Sequence, residues 1–259
     1  MDAHNMAQTG NLRQLRDHLE ETLLRALRAP GGRTPATITL SARPAAEAAG
    51  QAGLKERCQE RDGHRCVISG IWDPAHRPED DIMFGSLNAA HIIPFALGSF
   101  SNEVERQQIN AIWGAIYRYF PSIRSRLQLE IADVNREENI LTLYRPLHEL
   151  FGAFHIVLEK TETRDRYHLK TFGTISGVLA PHLPRDGIVT LRSHDGRYPL
   201  PDPSLLALHA AIGNILHATG SAERIEKILR DFEGASGGLA PDGSTDIGSL
   251  LSMRLLSLD

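Results

Sequence analysis

Apolar residues recur every three or four positions along much of the chain, which is the spacing of one helical face. Leucines at this spacing predict an amphipathic helix over residues 11–29. The same pattern predicts a helix from Asn102 or Glu103 to Tyr119 and a shorter one that begins after Pro121 and runs to about position 131. Further helices are expected over 45–60, 204–219 and 222–232.

Two short apolar runs near the middle of the chain have the composition of strands. The first run contains or borders His91 and ends at Pro94. The second run, ILTL, directly follows Asn139. Proline is tolerated in the first turn of a helix, so Pro146 predicts a helix that carries His148. The sequence therefore predicts a compact strand–strand–helix unit within an α+β chain.

Three more strands are expected beyond this unit, over 155–160, 166–172 and 188–192. The polar residues TETRD form the turn between the first two. His209 and His217 lie eight positions apart on the helix expected over 204–219, close to one face. They are expected to be solvated or to cap the helix, with a second metal site as the less favoured alternative.

The central unit carries its polar residues in the order AHIIP, NILTL and LHELF, and nine positions separate Asn139 from His148. An upstream segment, RDGHRCVISG, spans 61–70. In this order the motifs resemble the HNH endonuclease domain, particularly the form found in fungal proteins. The resemblance covers about residues 54–172 and implies a ββα-metal finger embedded in helices.

The resemblance implies a role for each of three residues. His91 takes the place of the general base that activates the attacking water, and Asn139 that of the asparagine that steadies the finger. His148 takes the place of the histidine that ligates a divalent metal, Mg²⁺ or Mn²⁺. Histidine titrates near neutral pH, which suits a proton acceptor. The expected reaction is metal-dependent hydrolysis of phosphodiester bonds in nucleic acid, with DNA preferred to RNA.

The expected metal site departs from the family pattern. Many HNH domains have an acidic residue immediately before the base histidine or four positions after the helix histidine, and Ala90 and Gly152 occupy those positions. The other candidate ligands are Asn88, Glu149 and His155. Three alternatives stay open: a second ligand from elsewhere in the fold, an ion held by His148 with water and substrate phosphate, or an inactive copy. An inactive copy would serve as a nucleic-acid or protein interaction module.

The net charge of −4 does not indicate a protein that coats nucleic acid without specificity. Phosphate contacts would therefore need a local basic surface. The nearest candidates are Arg57, Arg61, His64, Arg65 and Arg77. Acidic residues are interspersed among them, so a solvated surface of mixed charge is an equal alternative.

The two cysteines, Cys58 and Cys66, cannot by themselves complete a four-ligand zinc site. No structural zinc is expected, and both thiols are expected to be reduced and partly buried. The sequence begins without a secretory signal and contains no apolar run long enough for a membrane span. An intracellular protein, cytoplasmic or nuclear, is expected.

Four parts of the chain are expected. Residues 1–37 form the amphipathic helix and a linker, and 38–172 form the HNH-like domain with its helical insertion. Residues 173–233 form a C-terminal helical extension, and 234–259 form a flexible tail. The helix over 11–29 is expected to pack on its own domain, with homodimerisation through this helix as the alternative.

Overall fold

The structure, a computed structural model, describes residues 45–100 and 102–220. Within these residues, helices combine with small antiparallel sheets, so the α+β prediction is confirmed. The expected helices over 11–29 and 222–232 and the expected tail lie outside the described residues. The elements are α1 (Ala45–Arg61), β1 (Leu87–His91), α2 (Glu103–Tyr119), α3 (Pro121–Ser125), β2 (Ile140–Tyr144), α4 (Arg145–Gly152), β3 (Ile156–Lys160), β4 (Arg166–Thr171), β5 (Ile188–Thr190) and α5 (Pro203–Ala218).

Two compact units divide the described residues. The first contains 45–99 and 122–214, and the second contains 100, 102–121 and 215–220. The first unit holds both sheets. In the second, α2 has the predicted bounds and buries one face, which includes Ile112 and Ile116. No helix in the described part of the chain is long and apolar enough to cross a membrane.

The predicted strand–strand–helix unit is present. Strands β1 and β2 pair antiparallel, with Leu87 opposite Tyr144 and His91 opposite Ile140. Helix α4 follows β2 directly and has Pro146 in its first turn, where the missing N–H of proline removes no helical hydrogen bond. We call β1, β2 and α4 the ββα unit.

The second sheet has the order β3-β4-β5, with both pairings antiparallel. Its three strands lie where the sequence predicts them, but β5 is shorter than the expected span of 188–192. It pairs with only three residues of β4, from Arg166 to His168. The next residue, Leu191, donates its N–H to the carbonyl of Asp165, a turn residue with φ of 57°. The sheet therefore ends at Thr190.

The helix predicted to run from Pro121 to about position 131 is wrong in length. Helix α3 ends at Ser125. Gln128 has φ of 51°, in the left-handed region, which a right-handed helix cannot include. A separate 3-10 turn then forms over Ile131–Asp133. The backbone at Gln128 thus divides one predicted helix into two short turns.

The expectation that His209 is solvated or caps a helix is wrong. His209 lies in α5, is 2 % exposed, and stacks on Phe151 and Phe154 with ring centroids 3.8 and 4.4 Å away. Its Nε2 donates to the carbonyl of Phe151 at 3.1 Å. Burial lowers the pKa of His209 to about 3 from an ordinary 6.5, so the ring is neutral at physiological pH.

Stability is expected to fall as the pH drops below 6.5, because His209 takes up a proton in the unfolded chain long before it does so in the folded protein. The loss from this one group is up to about 1.4 kcal/mol per pH unit over the window from 6.5 down to about 3. Urea unfolding at several pH values measures it. His209→Gln retains an N–H donor but does not titrate, so its stability should depend less on pH. An unchanged slope in this variant would contradict the prediction.

Candidate functional site

His91 is the last residue of β1, and its ring is half-buried. Its Nε2 lies 3.0 Å from Asn135 Oδ1, and the ring packs at 65° to Phe95, with centroids 5.6 Å apart. The Nδ1 atom is buried, so Nε2 is the nitrogen on the accessible side. Sequence reasoning missed Asn135. The proximity of Asn135 follows from the register of the two strands, in which His91 lies opposite Ile140 and the turn before β2 comes close to His91.

Asn139 is fully buried in the turn Glu137–Asn139, immediately before β2. Its Oδ1 accepts a hydrogen bond from the N–H of Ile93 at 2.8 Å. Its Nδ2 donates to the carbonyls of Ile93 and Val134 at 3.0 and 2.9 Å. One side chain therefore joins the segment that follows His91 to the segment that leads into Asn135.

His148 lies on α4, partly buried against β1. Its Nδ1 is 3.2 Å from Nδ2 of Asn88. Burial lowers the pKa of His148 to about 4, so the imidazole is neutral at neutral pH and has a lone pair on one nitrogen. In this arrangement Asn88 donates to Nδ1. A half-turn of the Asn88 amide would make it the acceptor and move the lone pair to Nε2.

Arg61 and Asp62 form a buried ion pair at the end of α1. The Arg61 Nε and Nη2 atoms each donate to an Asp62 oxygen at 2.8 Å. Arg61 also donates to the carbonyls of Glu137, Ile140 and Pro199. Burial opposes the charge, but the hydrogen bonds and charge of Asp62 prevail and raise the pKa of Arg61. The pair anchors α1 to the start of β2.

Residues 66–159 match the family model described as HNH endonuclease. This segment, called the HNH domain below, is similar to HNH endonucleases. Searches of curated proteins and of solved structures gave no match. The matched range includes the whole ββα unit with His91, Asn139 and His148. It indicates a nuclease-type function that involves nucleic acid.

The basic residues expected to form a local surface, four of which precede the HNH domain, have different surroundings. Arg61 was expected to contribute, but it is 0 % exposed and neutralised by Asp62, so this expectation is wrong. The others have separate partners: Glu137 for Arg57, His76 for His64, Trp72 for Arg65 and Phe84 for Arg77. The alternative of a mixed-charge surface describes them better.

The donors available for a metal ion are few. No group of three or more His, Cys, Asp or Glu side chains in the described residues is arranged to hold one. Glu149 is 68 % exposed and pairs with Arg145, and Ala90 is fully buried. Near His148, the structure provides a neutral imidazole and the Asn88 amide. An ion such as Mg²⁺ held here would take its remaining ligands from water and substrate phosphate.

Both cysteines are free thiols, and they are fully buried rather than partly buried as expected. Burial raises the pKa of Cys58 to about 12, so this thiol stays protonated at neutral pH. Cys66 Sγ accepts a hydrogen bond from the N–H of Ser69 at 3.4 Å. Cys58 packs with Leu54 and Ile140, so it acts as a small apolar residue of the core.

Proposed function

We propose that the HNH domain hydrolyses phosphodiester bonds in nucleic acid, DNA in preference to RNA, with a divalent metal ion. The observation that carries the proposal is the placement of His91 at the end of β1, with Nε2 on the accessible side and Asn135 beside it. The family match over 66–159 supports the same reaction class.

His91 acts as the general base in this proposal. As placed, the Asn135 oxygen accepts a hydrogen bond from Nε2–H. To act as base, His91 takes the tautomer with its proton on Nδ1, and its Nε2 lone pair then accepts a proton from the water whose oxygen attacks phosphorus. In that tautomer the Asn135 oxygen no longer receives the Nε2–H and accepts a hydrogen bond from the same water, which orients it. Asn139 fixes the backbone on both sides of this pair and is a positioning residue.

His148, with Asn88 beside it, would hold the metal ion. Its pKa of about 4 keeps the imidazole in the neutral form that metal binding requires. A bound divalent ion supplies Lewis-acid stabilisation of charge on the phosphate and on the leaving oxygen. On a regular strand, Asn88 and His91 face opposite sides of β1. The proposal places one phosphate within reach of both His91 and His148.

The metal requirement gives the direct test. Purified protein should convert supercoiled plasmid to open-circular or linear DNA in Mg²⁺ or Mn²⁺, and excess chelator should stop cleavage. The chelator should remove the ion readily, because the residues near His148 retain it only weakly. Adding the metal back should restore cleavage. Folded protein that leaves plasmid, single-stranded DNA and RNA intact with either metal would contradict the proposal.

One observation favours a second candidate function. No group of three or more His, Cys, Asp or Glu side chains in the described residues could hold a metal ion, and hard cations prefer carboxylate oxygen. An HNH domain without a retained metal would serve as an interaction module for nucleic acid or protein. Binding of DNA without cleavage under every metal condition is the result that would distinguish it from the nuclease.

A further inference from the structure

A cavity of about 510 Å³ lies in the first unit, between two segments of chain. One wall is the segment 62–70, and the other is formed by residues from 181 to 194. The walls are fixed to each other, since the N–H of His194 donates to the carbonyl of Arg61 at 2.8 Å. Gly63 permits this contact. It has φ of 66°, and a Cβ at this position would lie 2.5 Å from the His194 ring.

The lining of this cavity is strongly basic. Its arginines and histidines are Arg65, Arg185, Arg192, His182 and His194. Asp62 is the one acidic residue that lines it, and the Asp62 carboxylate is already bound by Arg61 and by the N–H of Thr142. The positive charge facing the cavity is therefore not cancelled from within the lining. We call it the arginine cavity.

Arg185 and Arg192 are exposed, and neither forms an ion pair with a carboxylate in the described residues. The neighbouring carboxylate, Asp186, instead accepts the N–H of Ile188 at 3.1 Å. Arg65 stacks on Trp72 at 3.6 Å, which leaves the in-plane N–H groups of a guanidinium directed outward. Planar N–H donors of this kind match the geometry of phosphate oxygens.

The arginine cavity lies on the side of β2 away from His91. On one edge β2 pairs with β1, and on the other Thr142 bonds to Val67 and Asp62 at 3.0 and 3.1 Å. Asp62 and Val67 both belong to the cavity wall. A nucleic acid bound at His91 would therefore have to extend past the ββα unit to reach the cavity, and would meet it with phosphates other than the one being cleaved.

We propose that the arginine cavity binds backbone phosphates of the nucleic-acid substrate. The inference rests on the proposed nuclease function and extends it to residues 185 and 192, which lie beyond the matched range of 66–159. With a chain that carries a net charge of −4, phosphate neutralisation has to come from a local concentration of arginine such as this one. Phosphate contacts of this type position a strand and do not read its sequence.

The test measures binding in chelator, where cleavage cannot occur. Fluorescence anisotropy with a labelled DNA duplex over a salt series compares wild type with Arg185→Gln/Arg192→Gln. The double variant should bind about tenfold more weakly at low salt. Its plot of log K against log salt should be less steep by about 2, and each single variant should account for about 1.

Arg164→Gln is the matched control. Arg164 lies between β3 and β4, is 94 % exposed, pairs with Asp165, and does not line the cavity. It should bind DNA with the affinity and salt dependence of wild type. Thermal unfolding of all variants checks that each is folded, which is expected because the substituted side chains are exposed.

The possible results separate the two proposals. If wild type binds DNA and the double variant keeps the same salt dependence, the cavity assignment is overturned while the nuclease function, measured by cleavage, is not affected. The assignment to a nucleic-acid strand is also overturned if the cavity binds inorganic phosphate or a mononucleotide but binds neither duplex nor single-stranded nucleic acid. The cavity assignment is supported if the double variant binds DNA more weakly but cleaves at the wild-type rate when DNA is saturating.

Discussion

Replacement of His91 by alanine is expected to slow metal-dependent DNA cleavage by about 10²- to 10⁴-fold. The substitution removes the nitrogen that takes the proton from water and leaves the metal donors near His148 unchanged. The ring is half-buried at the end of a strand, so the fold should persist. Single-turnover nicking of supercoiled plasmid, measured with saturating Mg²⁺ or Mn²⁺, gives the rate.

His168→Ala is the control for this experiment. His168 is an exposed residue of β4, in the second sheet, and its removal should leave the cleavage rate unchanged. Circular dichroism and thermal unfolding show whether each variant is folded. Cleavage by folded His91→Ala at a rate within a few-fold of wild type would exclude His91 as the base.

Replacement of Arg61 by methionine is expected to destabilise the protein by about 3–5 kcal/mol. The Asp62 side chain is 2 % exposed and would lose its counter-charge, and three carbonyls would lose a donor. A buried charge without compensation is among the most costly defects in a folded protein. Urea unfolding monitored by tryptophan fluorescence measures the change in free energy.

Two further variants test whether the destabilisation by Arg61→Met comes from the burial of the ion pair. Arg57→Met breaks a pair with Glu137 in which the arginine side chain is 40 % exposed, and should cost less than about 1 kcal/mol. Adding Asp62→Leu to Arg61→Met removes the orphaned carboxylate and should recover part of the lost stability. If Arg61→Met is no more destabilising than Arg57→Met, the buried pair does not anchor α1 as described.

Strand β2 and helix α4 of the ββα unit were predictable because the information that defines them is local. A proline in the first turn and an apolar run immediately before it define β2 and α4, and both lie within 13 residues from Ile140 to Gly152. One hydrogen-bond partner of Asn139 is also close in sequence, since Val134 lies five residues away. Short-range patterns of this kind can be recognised without knowledge of the tertiary structure.

The burial of Arg61 could not be predicted in this way. Its partners Ile140 and Pro199 are 79 and 138 residues distant in the chain, so nothing near Arg61 distinguishes it from the solvated arginines on either side. His209 shows the same limit. Helical spacing places His209 on a face of α5, but only the packing against Phe151 and Phe154 shows that water is excluded from that face.

The three hydrogen bonds of Asn139 have a consequence for the order of events at the site. They hold the segment after His91 and the segment before Asn135 in one frame, through a side chain that is 0 % exposed. His91 and the Asn135 amide are thus held side by side before any nucleic acid arrives. Preorganisation of this kind spares the reaction the entropy of ordering these groups, so an arriving phosphate has only to orient itself.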